Sequence, residues 1–151
     1  AGWLYLAAVI DCFSRRVVGW SMRDDLRAEL VVDALEMAVA RRQPRPGLIH
    51  HSDQGKQYVS LLFGERCRDA GIDISIACTS AYDNAVAESF FASLTKDLLR
   101  RRQLRHRAEA RTALFDYIET FYNRIRMHST LDYLSPVDYE KMQEEKRHEA
   151  A

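Results

Sequence analysis

The chain has 151 residues, which suits a single domain large enough to bury about two-thirds of its unfolded surface. Lys plus Arg and Asp plus Glu each number 22, so the chain lacks the overall basic excess typical of proteins that bind nucleic acid by charge alone. Cys12, Cys67 and Cys78 lie far apart without zinc-ligand spacing, which indicates free thiols in a reducing cytosol. Because the longest strongly apolar run, Trp3 to Ile10, is too short to cross a membrane, we expect a soluble, cytoplasmic protein.

The first predicted elements are two strands and a helix. Apolar residues run from Trp3 to Ile10 and again from Arg16 to Met22, with a turn-prone stretch between them, which predicts an antiparallel hairpin. From Ala28 to Arg41 the apolar residues recur at helical spacing, and basic residues at the end suit the negative end of the helix dipole. We expect this helix to cover the sheet.

The middle of the chain predicts a strand, a helix and a further strand. Two prolines end the first helix, and Gly47 to His50 is predicted to form a short strand. A strand that follows a helix in this way suggests a parallel crossover through that helix. A second helix begins at the capping residue Ser60 and ends at Gly71. Isoleucines at every second position, Ile72, Ile74 and Ile76, then indicate a strand.

Helices dominate the rest of the chain. Ser80 and Asp83 suit a capping box for a helix that carries Glu88. The helix predicted from Arg107 to Arg124 has the clearest apolar periodicity, and a serine-proline pair at 135–136 begins a final charged helix. The order β-β-α-β-α-β-α-α predicts a mixed α/β layer.

Two carboxylates are the candidate functional residues. Asp53 lies just past a short apolar strand, in His50-His51-Ser52-Asp53-Gln54-Gly55-Lys56-Gln57-Tyr58, and Glu88 lies within the helix of Tyr82-Asp83-Asn84-Ala85-Val86-Ala87-Glu88-Ser89-Phe90. Side chains in these positions can converge on a hard divalent cation such as Mg²⁺, which prefers oxygen ligands. Taken alone, an aspartate such as Asp53 is more often a loop or helix-cap residue, and a glutamate such as Glu88 is an ordinary residue of a helix surface.

These two segments resemble the integrase-type transposases of bacterial insertion sequences, which are relatives of retroviral integrases. Leu6 to Trp20 resembles the central hairpin of that family, and Tyr122-Asn123-Arg124 with His128-Ser129-Thr130-Leu131 resembles its closing segment. The resemblance implies an RNase H-like α/β fold, a mixed sheet flanked by helices. It implies a catalytic core over residues 1–134, with residues 135–151 as a helical tail of the same domain.

The resemblance also implies an activity, the divalent-metal-dependent cleavage and strand transfer of DNA. Family members hold two Mg²⁺ or Mn²⁺ ions with an Asp, Asp, Glu triad and act on insertion-sequence ends and target DNA. Asp53 and Glu88 match the second and third members of that triad. The first aspartate belongs to a strand upstream of Trp3, so we expect this chain to lack that strand and to be inactive by itself. Without the upstream strand, one edge of the Trp3–Ile10 strand would be unpaired. Because such an edge can pair with a strand of another chain, we expect a homo-oligomer.

The chain departs from the family pattern at two further places. Between Asp53 and Glu88 there are 34 residues, one fewer than in the family. Thr95 stands where the family has a lysine, and Lys96 follows it. Asp11 is not a substitute for the missing aspartate, because it matches the turn of the hairpin and is predicted to cap it.

Several basic side chains are candidates for DNA contacts, although a charged helix end explains the dense run from Arg100 to Arg107 equally well. A non-catalytic DNA-binding or oligomerisation remnant, with idle carboxylates, is the alternative to an enzyme. A nuclease acting on RNA or branched DNA is a third hypothesis, which the closing segment disfavours. The candidate DNA-binding residues are Lys56, Lys96, Arg100, Arg124 and Arg126.

Overall fold

The computed structural model describes residues 2–52, 57–58, 60–76 and 85–151. Every strand and helix predicted from the sequence has a counterpart there, with shifted ends. The elements are β1 (Tyr5–Ile10), β2 (Val17–Arg23), α1 (Ala28–Arg42), β3 (Ile49–Ser52), α2 (Leu61–Asp69), β4 (Asp73–Ile76), α3 (Ala85–Leu94), a π-helix (Thr95–Leu99), α4 (Arg107–Phe115), a second π-helix (Asp116–Tyr122), a 3₁₀ turn (Ser129–Leu131) and α5 (Pro136–Ala150). Outside the described residues lie Asp53, Lys56, Cys78, Ser80 and Asp83.

The hairpin is antiparallel, as predicted. Its register runs from Tyr5 opposite Arg23 to Ile10 opposite Val17, with an irregularity after Val9. At the turn, Asp11 Oδ1 accepts a hydrogen bond from the amide of Phe13 at 2.8 Å, which confirms the predicted capping role of this aspartate.

The first strand of the hairpin packs against a core cluster on each face, which explains why it is a continuous apolar run. Tyr5, Ala7 and Val9 pack with the first core cluster, which includes α1 residues and Phe63 of α2. Their neighbours in the strand pack with a second cluster, formed by the helices that follow residue 85. The members of β1 in that second cluster are Leu6, Ala8 and Ile10.

Helix α1 crosses β2 at Gly19 in very close contact. A β-carbon built on Gly19 would lie only 2.1 Å from the carbonyl oxygen of Ala34 and 2.8 Å from the β-carbon of Ala38. The hydroxyl of Ser21 donates a hydrogen bond to the carbonyl of Leu30, and so fixes the start of the helix against the same strand. The absence of a side chain at residue 19 therefore sets the distance between α1 and the hairpin.

We expect Gly19→Ala to destabilise the fold by about 1–3 kcal/mol, because α1 must move away from β2 to admit the methyl group. Gly64→Ala is the matched control. Gly64 lies in α2, and a β-carbon added to it would meet no atom within 4 Å, so alanine there should stabilise the helix by about 0.5–1 kcal/mol. Urea denaturation of both variants measures the difference, and a Gly19→Ala protein as stable as the Gly64→Ala protein would contradict this packing.

The second sheet is the parallel pair of β3 and β4, connected by α2. The sequence suggested a parallel crossover through the first helix into β3, whereas the crossover found between described strands runs through α2. Its register runs from Ile49 opposite Asp73 to Ser52 opposite Ile76. The hydroxyl of Ser60 accepts a hydrogen bond from the amide of Phe63 at 3.2 Å, so the predicted cap is present. Among the described residues, neither strand of this sheet pairs with the hairpin.

The helix predicted from Arg107 to Arg124 changes type within its length. It is α-helical to Phe115 and π-helical over Asp116–Tyr122. The buried residues form two adjacent pairs. The first pair is Tyr117 and Ile118, and the second, five residues further along, is Tyr122 and Asn123. A π-helix, with its i→i+5 hydrogen bonds, brings both pairs to the core side, which an α-helix would not do.

Asn123 joins this helix to the hairpin. Only 2% of its surface is exposed, its side-chain oxygen accepts from the amide of Val17 at 2.9 Å, and its side-chain nitrogen donates to the Val17 carbonyl at 3.0 Å. These two bonds satisfy both backbone groups of a buried strand residue. The asparagine of the closing segment is therefore structural.

Helix α5 begins at its predicted cap and contacts the hairpin turn. The hydroxyl of Ser135 accepts from the amide of Asp138 at 3.2 Å. The carboxylate of Glu140 accepts from the Ser14 hydroxyl at 2.6 Å and from Arg16 at 2.9 Å, and it also pairs with Arg42. These contacts join α5 to the hairpin turn and to α1, and the division of the chain into a core and a tail at residue 135 stays a prediction.

In the described part of the chain, Cys12 and Cys67 are free cysteines. Burial raises the pKa of the Cys67 thiol to about 11, so this residue behaves as a core side chain and not as a nucleophile. Among the described residues, no helix has the length and apolar character needed to span a bilayer.

Candidate functional site

A large cavity, which we call the inter-sheet cavity, lies between the hairpin and the parallel pair. Its volume is about 970 Å³, and consecutive residues of both β1 and β3 line it together with the first turns of α3. Consecutive residues of a strand face opposite sides of a sheet, so a space that contacts all of them lies along the strand edges. The inter-sheet cavity therefore separates the β1 edge from the β3 edge.

Glu88 lines the inter-sheet cavity from the first turn of α3. Its side chain is exposed, and no described residue forms a hydrogen bond or ion pair with its carboxylate. Phe90 and Leu94 anchor the helix in the second core cluster. Within the described part of the chain, Glu88 is therefore a carboxylate without a partner on a firmly packed helix, as a cation ligand requires.

Strand β3 ends at the same cavity. Its last residue, Ser52, directly precedes Asp53, which lies outside the described residues. The Ser52 hydroxyl and the His50 Nδ1 atom are buried and have no hydrogen-bond partner in the described part of the chain. The His50 ring packs against the rings of Phe63 and Tyr58, with centroids 5.2 and 6.0 Å away.

The side chains around the cavity agree in part with a divalent cation site. Glu88 supplies an oxygen ligand of the type that Mg²⁺ prefers. Asp11 also lines the cavity, but its carboxylate already caps the turn and lies 3.6 Å from the Arg42 guanidinium. Over the described ranges, no group of three His, Cys, Asp or Glu side chains could hold a metal ion. The described residues therefore contribute one free ligand.

The predicted DNA-binding residues fall into different environments. Lys96 is exposed in the first π-helix, and Arg100 and Arg124 are also exposed. Arg126 is only partly exposed, and its guanidinium bonds the Asp97 carboxylate at 2.7 Å. Asp97 also accepts from the Tyr117 hydroxyl at 2.9 Å, so it ties the first π-helix to the second. The roles of these basic residues in DNA binding remain predictions.

His128, in the closing segment, is neutral in the fold. It is 9% exposed, and its ring packs edge-on against Tyr122 with centroids 5.1 Å apart. Burial lowers the pKa of His128 to about 4, and the positive charges of Arg126 and Arg15 act in the same direction.

We expect the free energy of unfolding to fall as the pH drops from about 6.5, the ordinary histidine pKa, toward 4. Between these pH values the side chain of residue 128 is protonated in the unfolded chain but neutral in the fold. The contribution of His128 to the free energy of unfolding is therefore fully present above pH 6.5 and is lost as the pH falls toward 4. The expected loss is on the order of 1–3 kcal/mol by pH 4.5. His50, whose pKa burial also lowers to about 4, adds to it in the same direction.

Urea denaturation of the wild type and of His128→Asn at pH 7, 6 and 5 measures this dependence. The variant should be less stable at pH 7 and should lose less stability between pH 7 and 5. Equal slopes for the two proteins would show that His128 is charged in the fold, against the lowered pKa.

Comparison with known proteins identifies the family. Residues 1–81 match the model of the integrase core domain, and residues 88–143 match a second model with the same description. The chain belongs to the integrase core domain family. Among curated relatives, this integrase core is 47% identical over 141 residues to the transposase for insertion sequence element IS904 of Lactococcus lactis, a match that covers 93% of the chain and 56% of the relative.

A second relative gives the same result. The transposase InsF for insertion sequence IS3A of Escherichia coli is 42% identical over 140 residues, a match that covers 92% of this integrase core and 49% of the relative. The chain therefore spans about half the length of the curated relatives it matches. The predicted family resemblance is confirmed.

Solved structures confirm the fold. The crystal structure of the catalytic core domain of BIV integrase matches with a TM-score of 0.68 at 17% identity, covering 98% of this integrase core and 93% of that chain. The HTLV-2 integrase catalytic core domain in complex with magnesium, in its trimeric form, matches with a TM-score of 0.60 at 17% identity, covering 91% and 92%. The RNase H-like mixed α/β architecture predicted from the sequence is therefore correct.

Proposed function

We propose that this chain is the catalytic core of an insertion-sequence transposase, which cleaves DNA at the element ends and transfers the strand to target DNA. The observation that carries the proposal is the carboxylate of Glu88, which has no partner among the described residues and lies on a packed helix at the cavity that Ser52, the end of β3, also lines. The two curated relatives described above are transposases of insertion sequences, which supports the same function.

Asp53 and Glu88 would hold Mg²⁺ or Mn²⁺ in this scheme. Two bound divalent ions would activate the attacking oxygen and stabilise the leaving oxygen of the phosphodiester. Glu88 supplies negative charge from a fixed position, because Phe90 holds the helix in the core, and it sits near the positive end of the helix dipole. Its carboxylate is free of competing cationic partners among the described residues, so it is available to metal.

A third oxygen ligand is required to complete the proposed site. We infer that an aspartate on a strand preceding Trp3 in a longer chain supplies it, as the family resemblance implies. The inter-sheet cavity supports this placement, because it reaches Glu88 and runs between the edges of β1 and β3 that no described strand pairs with. An added strand there would pair with both sheets and bring its side chains beside Glu88.

The partners follow from the same proposal. They are insertion-sequence ends, target DNA and further copies of the chain, in the cytoplasm. Lys56, Lys96, Arg100 and Arg124 are the proposed phosphate contacts. When the upstream strand is absent, the β1 edge is the proposed route to self-association of the 151-residue chain. The HTLV-2 integrase core has been solved in dimeric and trimeric forms, which agrees with a fold that associates with copies of itself.

Calorimetric titration of Mn²⁺ tests the proposal. We expect weak binding by the 151-residue chain and clear binding by a chain extended upstream through the missing strand. Asp53→Asn in the extended chain should abolish binding, while Asp69→Asn, an exposed aspartate at the end of α2, should leave it unchanged. If no version binds Mn²⁺, even with DNA present, the carboxylates do not form a metal site.

A non-catalytic remnant remains the second candidate. It is favoured by the single free ligand that the described residues place at the cavity. Assays of the extended chain distinguish the two candidates, because a remnant would bind DNA but would not cleave or join it when a divalent metal is added.

A further inference from the structure

A second cavity, which we call the closing-segment cavity, lies on another side of α3. Its volume is about 530 Å³. Ser89 and Ser93, one turn apart on α3, form one wall, and Arg15 of the hairpin turn forms another. The closing segment completes it with Arg126, His128 and Thr130. Ser89 directly follows Glu88, so the two cavities lie on neighbouring sides of one helix.

The closing-segment cavity is positively charged and rich in hydrogen-bond donors. Two guanidinium groups and several hydroxyls line it, and no described carboxylate does. Arg126 is partly neutralised by Asp97. Arg15 makes no side-chain hydrogen bond or ion pair with any described residue, so no described carboxylate neutralises its charge. Arginine is the side chain best suited to bind a phosphate through two parallel hydrogen bonds.

A buried polar atom without a partner gives a second, independent indication of a ligand. His128 is more than nine-tenths buried, and its Nε2 atom has no hydrogen-bond partner in the described part of the chain. Buried polar atoms in folded proteins almost always have partners, because leaving one unpaired is costly. A neutral imidazole can donate one hydrogen bond from this atom to an anionic oxygen.

We propose that the closing-segment cavity binds a phosphate group of the DNA backbone, through Arg15, His128 and the hydroxyls of Ser89, Ser93 and Thr130. This inference rests on the proposed function for its choice of DNA. Because Ser89 adjoins Glu88, a phosphate bound here would fix the DNA strand relative to the reacting phosphodiester.

An NMR titration of the ¹⁵N-labelled 151-residue chain with the dinucleotide dTpT, without divalent metal, tests the site directly. We expect the largest shifts at the amides of Ser89, Ser93 and Thr130. Arg15→Gln should weaken dTpT binding about 10-fold, since a charge-assisted contact is lost. The control is Arg45→Gln, an exposed arginine in the loop between α1 and β3 with no partner among the described residues, and it should leave binding unchanged.

A second pair of variants adds charge at matched positions of one helix. Ser89→Asp places a carboxylate at the cavity and should abolish dTpT binding, whereas Ala92→Asp adds the same charge at an exposed position of α3 that does not line the cavity. With a DNA duplex, Arg15→Gln should also reduce the slope of log affinity against log salt by about one. The spectrum of each variant shows directly whether the fold is intact.

The outcomes separate this inference from the proposed function. Equal losses in Arg15→Gln and Arg45→Gln, or no shifts at the cavity with either dTpT or inorganic phosphate, would overturn the site. Shifts with inorganic phosphate but none with dTpT would show a free-anion site and would overturn the DNA assignment. Catalysis by the extended chain that survives Glu88→Gln would refute the metal proposal, while dTpT binding that depends on Arg15 would still stand.

Discussion

Replacing Glu88 with glutamine in the chain extended upstream is expected to reduce DNA strand transfer by at least about 1,000-fold. Glutamine keeps the size of the side chain but removes the negative charge that would hold a divalent cation. The carboxylate has no partner among the described residues, so stability should change by less than about 0.5 kcal/mol. The loss would then reflect chemistry and not folding.

Joining of labelled oligonucleotides in the presence of Mn²⁺ measures this loss, and urea denaturation of the same samples measures stability. Glu65→Gln is the matched control, because Glu65 is an exposed glutamate of α2 without an ion pair among the described residues. If Glu88→Gln retained the activity of the Glu65→Gln protein, Glu88 would not be a metal ligand.

Replacing Phe90 with alanine is expected to destabilise the fold by about 3–5 kcal/mol. The Phe90 side chain is 0% exposed and packs edge-on against Tyr122, with ring centroids 5.0 Å apart. Its removal would leave a cavity in the second core cluster, beneath the helix that carries Glu88. The same substitution should therefore weaken metal binding in the extended chain, since the position of Glu88 would no longer be fixed.

Phe91 provides the control for Phe90. It is the next residue, it has the same side chain, and it is 39% exposed. Phe91→Ala should cost less than about 1.5 kcal/mol, because partly exposed apolar surface contributes less on folding. Denaturation midpoints of the two variants measure the difference. Comparable losses would mean that α3 is not anchored through Phe90.

Much of the fold follows from local signals in the sequence. The apolar run of β1, the cap at Ser60 and the serine-proline start of α5 each have a local physical cause, and the structure contains all three. Asp11 was likewise predictable as a turn cap, because an aspartate before a turn accepts hydrogen bonds from nearby amides. For the candidate site, the sequence singled out Glu88 and Asp53 through their flanking residues, and the structure adds the cavity that Glu88 shares with the end of β3.

Other features depend on residues that are distant in the sequence, so only the tertiary structure reveals them. The π-helical turn of Asp116–Tyr122 places Tyr117 and Tyr122 in one core, which helical periodicity alone did not indicate. The pairing of Arg126 with Asp97 spans 29 positions and removes much of the free charge predicted for this arginine.

The sequence by itself determined the family, the order of the elements and the two candidate ligands, because these depend on local patterns and motifs. The tertiary structure decided which side chains share a cavity. It placed Arg15 of the hairpin turn beside His128 and the serines of α3, residues that no sequence spacing connects. Packing of the closing segment against α3 brings them together, since the buried rings of Phe90, Tyr122 and His128 hold both elements in one core.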